Sequence, residues 1–254
     1  MSRRANVTVL LALASAVGAA GAADIRVLSG GAPQEALRGL APEFEQATGD
    51  HVEFTFQLVT EVQRRLAAGE KADLIFLPVP LIAATAKVVP LRSDGRAVLA
   101  RVGIGVIVRE GTTPPDISTP DALRKMLVGA RALVWSDPGT PVGAHLERVI
   151  AQLGIADEVR SKLIVKAAIH GGAQSVAKGD ADAGLYLISE VQGAKGVVLV
   201  GPLPSSLQSF VVYGTAVPVD NAAPEAALRF VRFISDPSRS ERWKAADFEL
   251  VSKP

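Results

Sequence analysis

Two hydrophobic rhythms follow one another along this chain, one suited to strands and one to helices. Ile25 to Leu28 is a short β-branched run that ends at Ser29-Gly30-Gly31. From Gln34 to Ala47 the apolar residues Leu37, Leu40, Ala41 and Phe44 recur on one helix face, and Gly49 supplies the stop. His51 to Gln57 alternates as a half-buried strand, with Val52, Phe54 and Phe56 on one face. A helix is predicted over 60–68, with Thr60 as its N-cap, and Asp73 to Leu77 reads as a strand buried in a parallel sheet. This β-α-β-α-β order is a doubly wound unit.

The same grammar returns further along. Val98 to Val108 is long for one strand and carries Gly103 and Gly105, which suits a segment crossing between two lobes. Ser118 is the expected N-cap of a helix reaching Leu127, with Pro120 in its first turn. Strands over 132–136, 163–168 and 183–187 then alternate with helices over 141–153 and 173–178. Ser209 to Val217 suits a return crossing, and helices over 224–234 and 242–246 close the chain. The expected fold is therefore α/β and two-lobed, with two doubly wound sheets joined by crossing strands. One lobe takes 24–103 with 209–254 and the other takes 104–208.

Met1 to Ala23 changes the picture by fixing where the rest should work. Arg3 and Arg4 precede an apolar run from Val7 to Val17, and Ala20-Gly21-Ala22 offers the small residues of a cleavage site. That run falls short of the ~20 apolar residues a bilayer span needs. Residues 1–23 are thus expected to be a signal peptide cleaved near Ala22 or Ala23, with the mature chain in the periplasm. With no cysteine in 254 residues, disulfides, thiolate metal sites and a lipid-modified N-terminal Cys are excluded. A formal net charge of +1, with basic and acidic residues interspersed, gives no electrostatic footprint for nucleic acid or for an anionic membrane.

Three glycine-rich turns are the candidate chemistry. Ser29-Gly30-Gly31 joins a strand to a helix, where glycine admits a close backbone approach and the helix start offers unpaired N–H groups to an anion. It lacks the dinucleotide fingerprint and the phosphate-loop lysine. A tight turn with no ligand explains Gly-Gly alone, but its place at the carboxyl end of a first strand favours ligand contact. Thr60 opens the second helix, and its neighbours Arg64 and Arg65 fit a solvated helix face. The second turn is Ser136-Asp137-Pro138-Gly139-Thr140-Pro141, and the third is His170-Gly171-Gly172, whose histidine can donate to an anion. His51, His145 and His170 lack metal-ligand spacing, and no nucleophile elbow is present. Trp135 and Trp243 are expected in the core.

Ile25-Arg26-Val27-Leu28 with Ser29-Gly30-Gly31-Ala32, Ala67 to Leu74, Val134-Trp135-Ser136-Asp137-Pro138 and Ala183-Gly184-Leu185-Tyr186 together resemble the periplasmic solute-binding proteins of the molybdate-binding type. The resemblance spans essentially the whole mature chain. It implies two lobes closing on a small anion, no cofactor, delivery to an ABC permease of the inner membrane, and a monomer. It also implies that amides near Val142 and Gly143, with Thr140 as a hydroxyl, contact the ligand. The family's serine and tyrosine positions fall here on Ala32, Val59 and Leu187, next to which stand Thr60 and Tyr186. The expected ligand contacts are Ser29, Gly30, Gly31, Thr60, Thr140, Val142, Gly143 and His170, for an oxyanion or an organic carboxylate. Because some proteins resembling this fold isomerise polycarboxylates such as aconitate, an isomerase is the alternative, with His170, Glu61 or Arg65 as candidate groups. A secreted adhesion module would leave the cleft turns unexplained.

Overall fold

A computed structural model describes residues 22–251; most of the expected signal segment, Met1 to Gly21, lies outside the described residues. The first half runs β1 (Asp24–Gly30), α1 (Gln34–Thr48), β2 (His51–Gln57), α2 (Val59–Ala67), β3 (Leu74–Pro78), α3 (Val79–Thr85) and β4 (Ala97–Arg109). The second half holds α4 (Pro120–Gly129), β5 (Leu133–Trp135), α5 (Pro141–Gln152), α6 (Ala156–Arg160), β6 (Leu163–Val165), α7 (Gly172–Lys178), β7 (Ala183–Leu187), α8 (Ile188–Val191) and β8 (Val197–Pro202). The chain then returns through β9 (Phe210–Ala216), α9 (Pro224–Ile234), α10 (Ser240–Ala245) and β10 (Glu249–Leu250).

The strand order is β2-β1-β3-β9-β4-β7-β5-β6. β1 pairs in parallel with β2 and β3, and β5 pairs in parallel with β6 and β7. Between these parallel groups β4 acts as the join. Its first residues, Ala97 to Gly103, pair with β9, and Ile104 to Val108 pair with β7. The two-lobed α/β fold is thus organised around one strand that changes partners at Gly103 and Ile104. The return is a loop rather than a strand: Gln208 bonds Ile104 in both directions, accepting from its N–H at 3.0 Å and donating to its carbonyl at 2.9 Å. β9 then lies wholly with the first half.

Packing follows the apolar stripes. Leu37, Leu40, Ala41 and Phe44 of α1 are buried, and Phe44 meets Phe230 of α9 edge-on at 4.9 Å between ring centres. Gly49 ends α1 in the left-handed region, φ 79°, and its N–H bonds the Glu45 carbonyl. Both tryptophans are buried, as their positions suggested, and Trp243 Nε1 donates to the Ile234 carbonyl. The C-terminal segment is tied to β1 by buried Asp73, which accepts from the Arg26 amide and guanidinium and from the Ala222 amide. Burial pushes that carboxyl up, but these bonds outweigh it and hold Asp73 below its ordinary range.

Some local expectations are corrected. The N-cap of α4 is Thr119, not Ser118; Thr119 Oγ1 accepts from the Ala122 amide at 3.1 Å. α2 begins one residue earlier than expected, with Leu58 at the N-cap and no side-chain cap, so Thr60 is the second helical residue. The strand expected over 163–168 stops at Val165, because Ala168–His170 turns into a 3₁₀ segment. The short helices α3, α6 and α8, and the strands β8 and β10, have no counterpart in the sequence reading.

Candidate functional site

Three adjoining cavities lie where the carboxyl ends of the parallel strands of both halves meet, the place such sheets offer to ligands. The narrowest is a throat of about 30 Å³. The first half supplies its walls through Gly31, Gln57, Leu58, Val59 and Pro78, with Val211 and Tyr213 from β9. The second half supplies Ser136, Thr140, Pro141, Val142, Leu187 and Glu190, and Ile169. A chamber of about 200 Å³ shares Gly31, Ile169 and Glu190 with the throat, and adds Gln34, Glu35 and Ser189. On the other side, a chamber of about 380 Å³ shares Leu58 and Thr140 and adds Thr60, Asp137, Lys166 and His170.

Two helix starts converge on the throat, α2 from one half and α5 from the other. α5 begins at Pro141 after Thr140, whose Oγ1 accepts from the Gly143 amide at 3.1 Å and donates to the Asp137 carbonyl at 2.7 Å. Proline has no N–H and the Gly143 amide is engaged, so Val142 is the first-turn amide left to a ligand. α2 has no side-chain cap, which leaves the amides of Val59, Thr60 and Glu61 without intrahelical acceptors. Among the described residues no Lys or Arg lines the throat.

The expected contacts divide into those at the cavities and those behind them. Gly31, Thr140 and Val142 line the throat, and Thr60, Thr140 and His170 line the larger chamber. Ser29 does not reach either space: it is fully buried and its hydroxyl donates to the Gly30 carbonyl at 2.8 Å. Gly30 sits beneath the floor, where an added Cβ would lie 2.9 Å from Val59 Cγ1. Gly143 is structural, since its Cβ would fall 2.1 Å from the Asp137 carbonyl oxygen. Tyr186 faces away from the cleft and donates to the Lys166 carbonyl at 2.6 Å, while Leu187 lines the throat. Alternation along β7 accounts for that exchange. Glu61 pairs with Arg64, and Arg65 with Glu70, on the surface; none of these lines the three cavities.

Glu190, Ser189, Tyr213 and Lys166 are the cleft residues that sequence reasoning missed. Glu190 follows the buried strand β7 by three residues, a position at a strand's carboxyl end that could have drawn notice. Burial raises its carboxyl to about 7. Burial also raises the Tyr213 phenol, with the charge of Glu190 as a second cause. Ser189 Oγ is buried without a hydrogen-bond partner. Among the described residues no cluster of three or more His, Asp or Glu could hold a metal ion, and no helix is long and apolar enough to cross a membrane.

A family model described as bacterial extracellular solute-binding protein matches residues 25–249. The chain is 27% identical over 234 residues to the aconitate isomerase of a Pseudomonas species, covering 89% of this chain and 87% of that one. It is 24% identical over 235 residues to the molybdate-binding protein ModA of Escherichia coli K12, covering 89% of each. Its fold matches the periplasmic molybdate-binding protein of Azotobacter vinelandii with a TM-score of 0.74 and 18% identity, over 90% of this chain and all of that one.

Proposed function

The chain belongs to the bacterial extracellular solute-binding proteins, and from that premise we propose that it captures a small anion between its lobes and delivers it to an ABC permease. The observation that carries this reading is the convergence of the α2 and α5 starts on one throat with no basic side chain in its wall. Backbone N–H groups at helix starts hold anions through partial charges fixed in place. In the adjoining chamber Lys166 adds positive charge, and His170 a ring nitrogen that can donate, for a ligand larger than a tetrahedral oxyanion. Residues 24–103 with 209–254 form one moving lobe and 104–208 the other, with Ile104 and Gln208 at the hinge. The ligand's higher affinity for the closed arrangement drives closure. In this reading residues 1–23 direct export and are removed, and the mature protein works as a periplasmic monomer.

Calorimetric titration of the mature protein with molybdate, tungstate, sulfate, phosphate, citrate and both aconitate isomers tests it. Binding of at least one of these, with compaction in small-angle scattering, is expected; no binding of any of them would overturn the reading.

A second reading is favoured by the aconitate isomerase relative together with an acid in the cleft that no cation neutralises, Glu190. A base there would take a proton from a carbon next to a carboxylate and return it at the other end of the allylic system, moving the double bond with no net change in atoms. Interconversion of the aconitate isomers, followed by chromatography, separates an enzyme from a receptor.

A further inference from the structure

Glu190 forms part of the wall of two cavities at once, the throat and the 200 Å³ chamber. Among the described residues no Lys or Arg lines either space, and burial lifts its carboxyl toward neutrality. Its neighbour Ser189 lines the same chamber with a buried hydroxyl that has no partner. Ser189 thus lacks the internal bond that a buried polar group usually makes, and beside it the half-buried Glu190 turns its carboxyl to the cavities.

The titratable groups around α8 do not offset this acid. α8 packs on β4, β7, β8 and the 3₁₀ turn at Ala168–His170. β7 brings Tyr186, whose hydroxyl is committed to the Lys166 carbonyl, and β8 has no titratable residue. β4 brings Arg101, paired with Glu249, and Arg109, which lies beside Gly179. The turn brings His170, which lines the opposite chamber. Lys195, after α8, is exposed and lines neither space. Facing Glu190 across the cavities are a phenol, Tyr213, and a second acid, Glu35. None of the groups that share these cavities carries a positive charge.

An ionised Glu190 beside a bound anion would place two like charges in a poorly hydrated space. A neutral carboxyl, by contrast, is a donor, and a hydrogen bond from it to an anionic oxygen is of the strong, charge-assisted kind. Resting on the anion-binding reading, we propose that Glu190 is the proton-carrying specificity residue of the cleft: it keeps its proton in the complex and donates it to an unprotonated oxygen of the anion. Capture is thereby linked to proton uptake, and the ligand class is an anion that presents a bare acceptor oxygen to this wall.

The experiment is calorimetry of citrate, trans-aconitate and molybdate binding at pH 6, 7 and 8, in two buffers that differ in ionisation enthalpy. For an anion that binds, affinity should fall by up to about tenfold per pH unit above 7, with proton uptake rising toward one as the free carboxyl becomes ionised. In Glu190→Gln, which keeps a donor but cannot titrate, the fall in affinity above pH 7 and the proton uptake at pH 8 should both be lost. Wild-type binding with no proton uptake at pH 8, or a Gln variant that retains the wild-type pH profile, would overturn the proposal and leave the anion reading intact. Failure of all three anions to bind at every pH would remove both.

Thermal melts of the ligand-free proteins give an independent readout. A carboxyl near 7 in the folded chain and 4.5 in the unfolded one contributes stability below 4.5 that is lost as pH rises to about 7. Wild type should therefore lose melting temperature relative to Glu190→Gln across that window. An unchanging gap would mean that Glu190 carries no extra proton, and would also overturn the proposal.

Discussion

The helix starts of α2 and α5 face each other across the throat, yet they solve the problem of orphan amides in opposite ways. α5 is finished from within: proline stands first, Thr140 caps the Gly143 amide, and the Asp137 carbonyl accepts a hydrogen bond from the Thr140 hydroxyl. α2 is left open, with Leu58 at a cap position that has no side-chain oxygen to offer. A helix start without a cap gives up about 1 kcal/mol of stability. At the rim of a cleft that loss is offset once an external acceptor arrives. On the proposed anion-binding reading the two halves would share the ligand unequally: the second presents a pre-formed edge with one available amide, and the first presents a helix start whose amides have no side-chain cap.

The most severe way to break the comparison is to spoil the pre-formed edge. In Gly143→Ala the new Cβ would lie 2.1 Å from the Asp137 carbonyl oxygen and 2.5 Å from that of Ser136, and neither backbone atom can move aside cheaply. A loss of about 3 kcal/mol is expected, or roughly 6–12 °C in melting temperature for a chain of this size. Anion binding should go with it. A melt within 2 °C of wild type would show that the edge is not rigid.

A more selective variant makes α2 resemble α5. Val59→Pro removes one amide from the open start while placing proline at the first helical position, where it is tolerated. Leu58 already has the extended backbone, φ −57° and ψ 140°, that a residue before proline requires. One lost donor to an anion is worth about 1.5–3 kcal/mol, or roughly ten- to hundredfold in affinity. Stability should change by no more than about 1.5 kcal/mol. Unaltered affinity for an anion that the wild type binds would show that the α2 amides do not hold it.

The same asymmetry explains what could be read in advance. The helix stripe of α1, the alternation of β2, the buried run of β7 and the amphipathic α9 are local periodicities, and each matched the structure to within a residue or two. The α5 start was legible because proline, threonine and glycine announce a cap. The α2 start was misread, since Thr60 has the chemistry of a cap but the backbone turns helical one residue before it. Ser29 was misjudged for a related reason: the turn faces the cleft, but on a strand whose last four residues are all buried its hydroxyl points inward and bonds its own chain. Glu190 was signalled only by its position just after β7, and Tyr213 by nothing local, because their place depends on α8 and β9 being brought to the cleft from more than 125 residues beyond Gly31 and Leu58.

The smallest effects give the finest separation of the two starts, because they compare one residue type at two places. Thr140→Ala deletes the cap of α5, so about 1 kcal/mol of stability should be lost. Thr60→Ala deletes a hydroxyl that caps nothing, and its change should stay within about 0.5 kcal/mol. Denaturant titration resolves the two when each variant keeps the wild-type slope. In binding the order should reverse. Thr140 lines both the throat and the chamber, but its hydroxyl already donates to the Asp137 carbonyl and accepts from the Gly143 amide; Thr60 lines the chamber beside Lys166 and His170 with a hydroxyl that caps nothing and can turn to a ligand. Equal stability losses at Thr60 and Thr140 would erase the distinction between an open and a finished helix start, and with it the unequal sharing of the ligand.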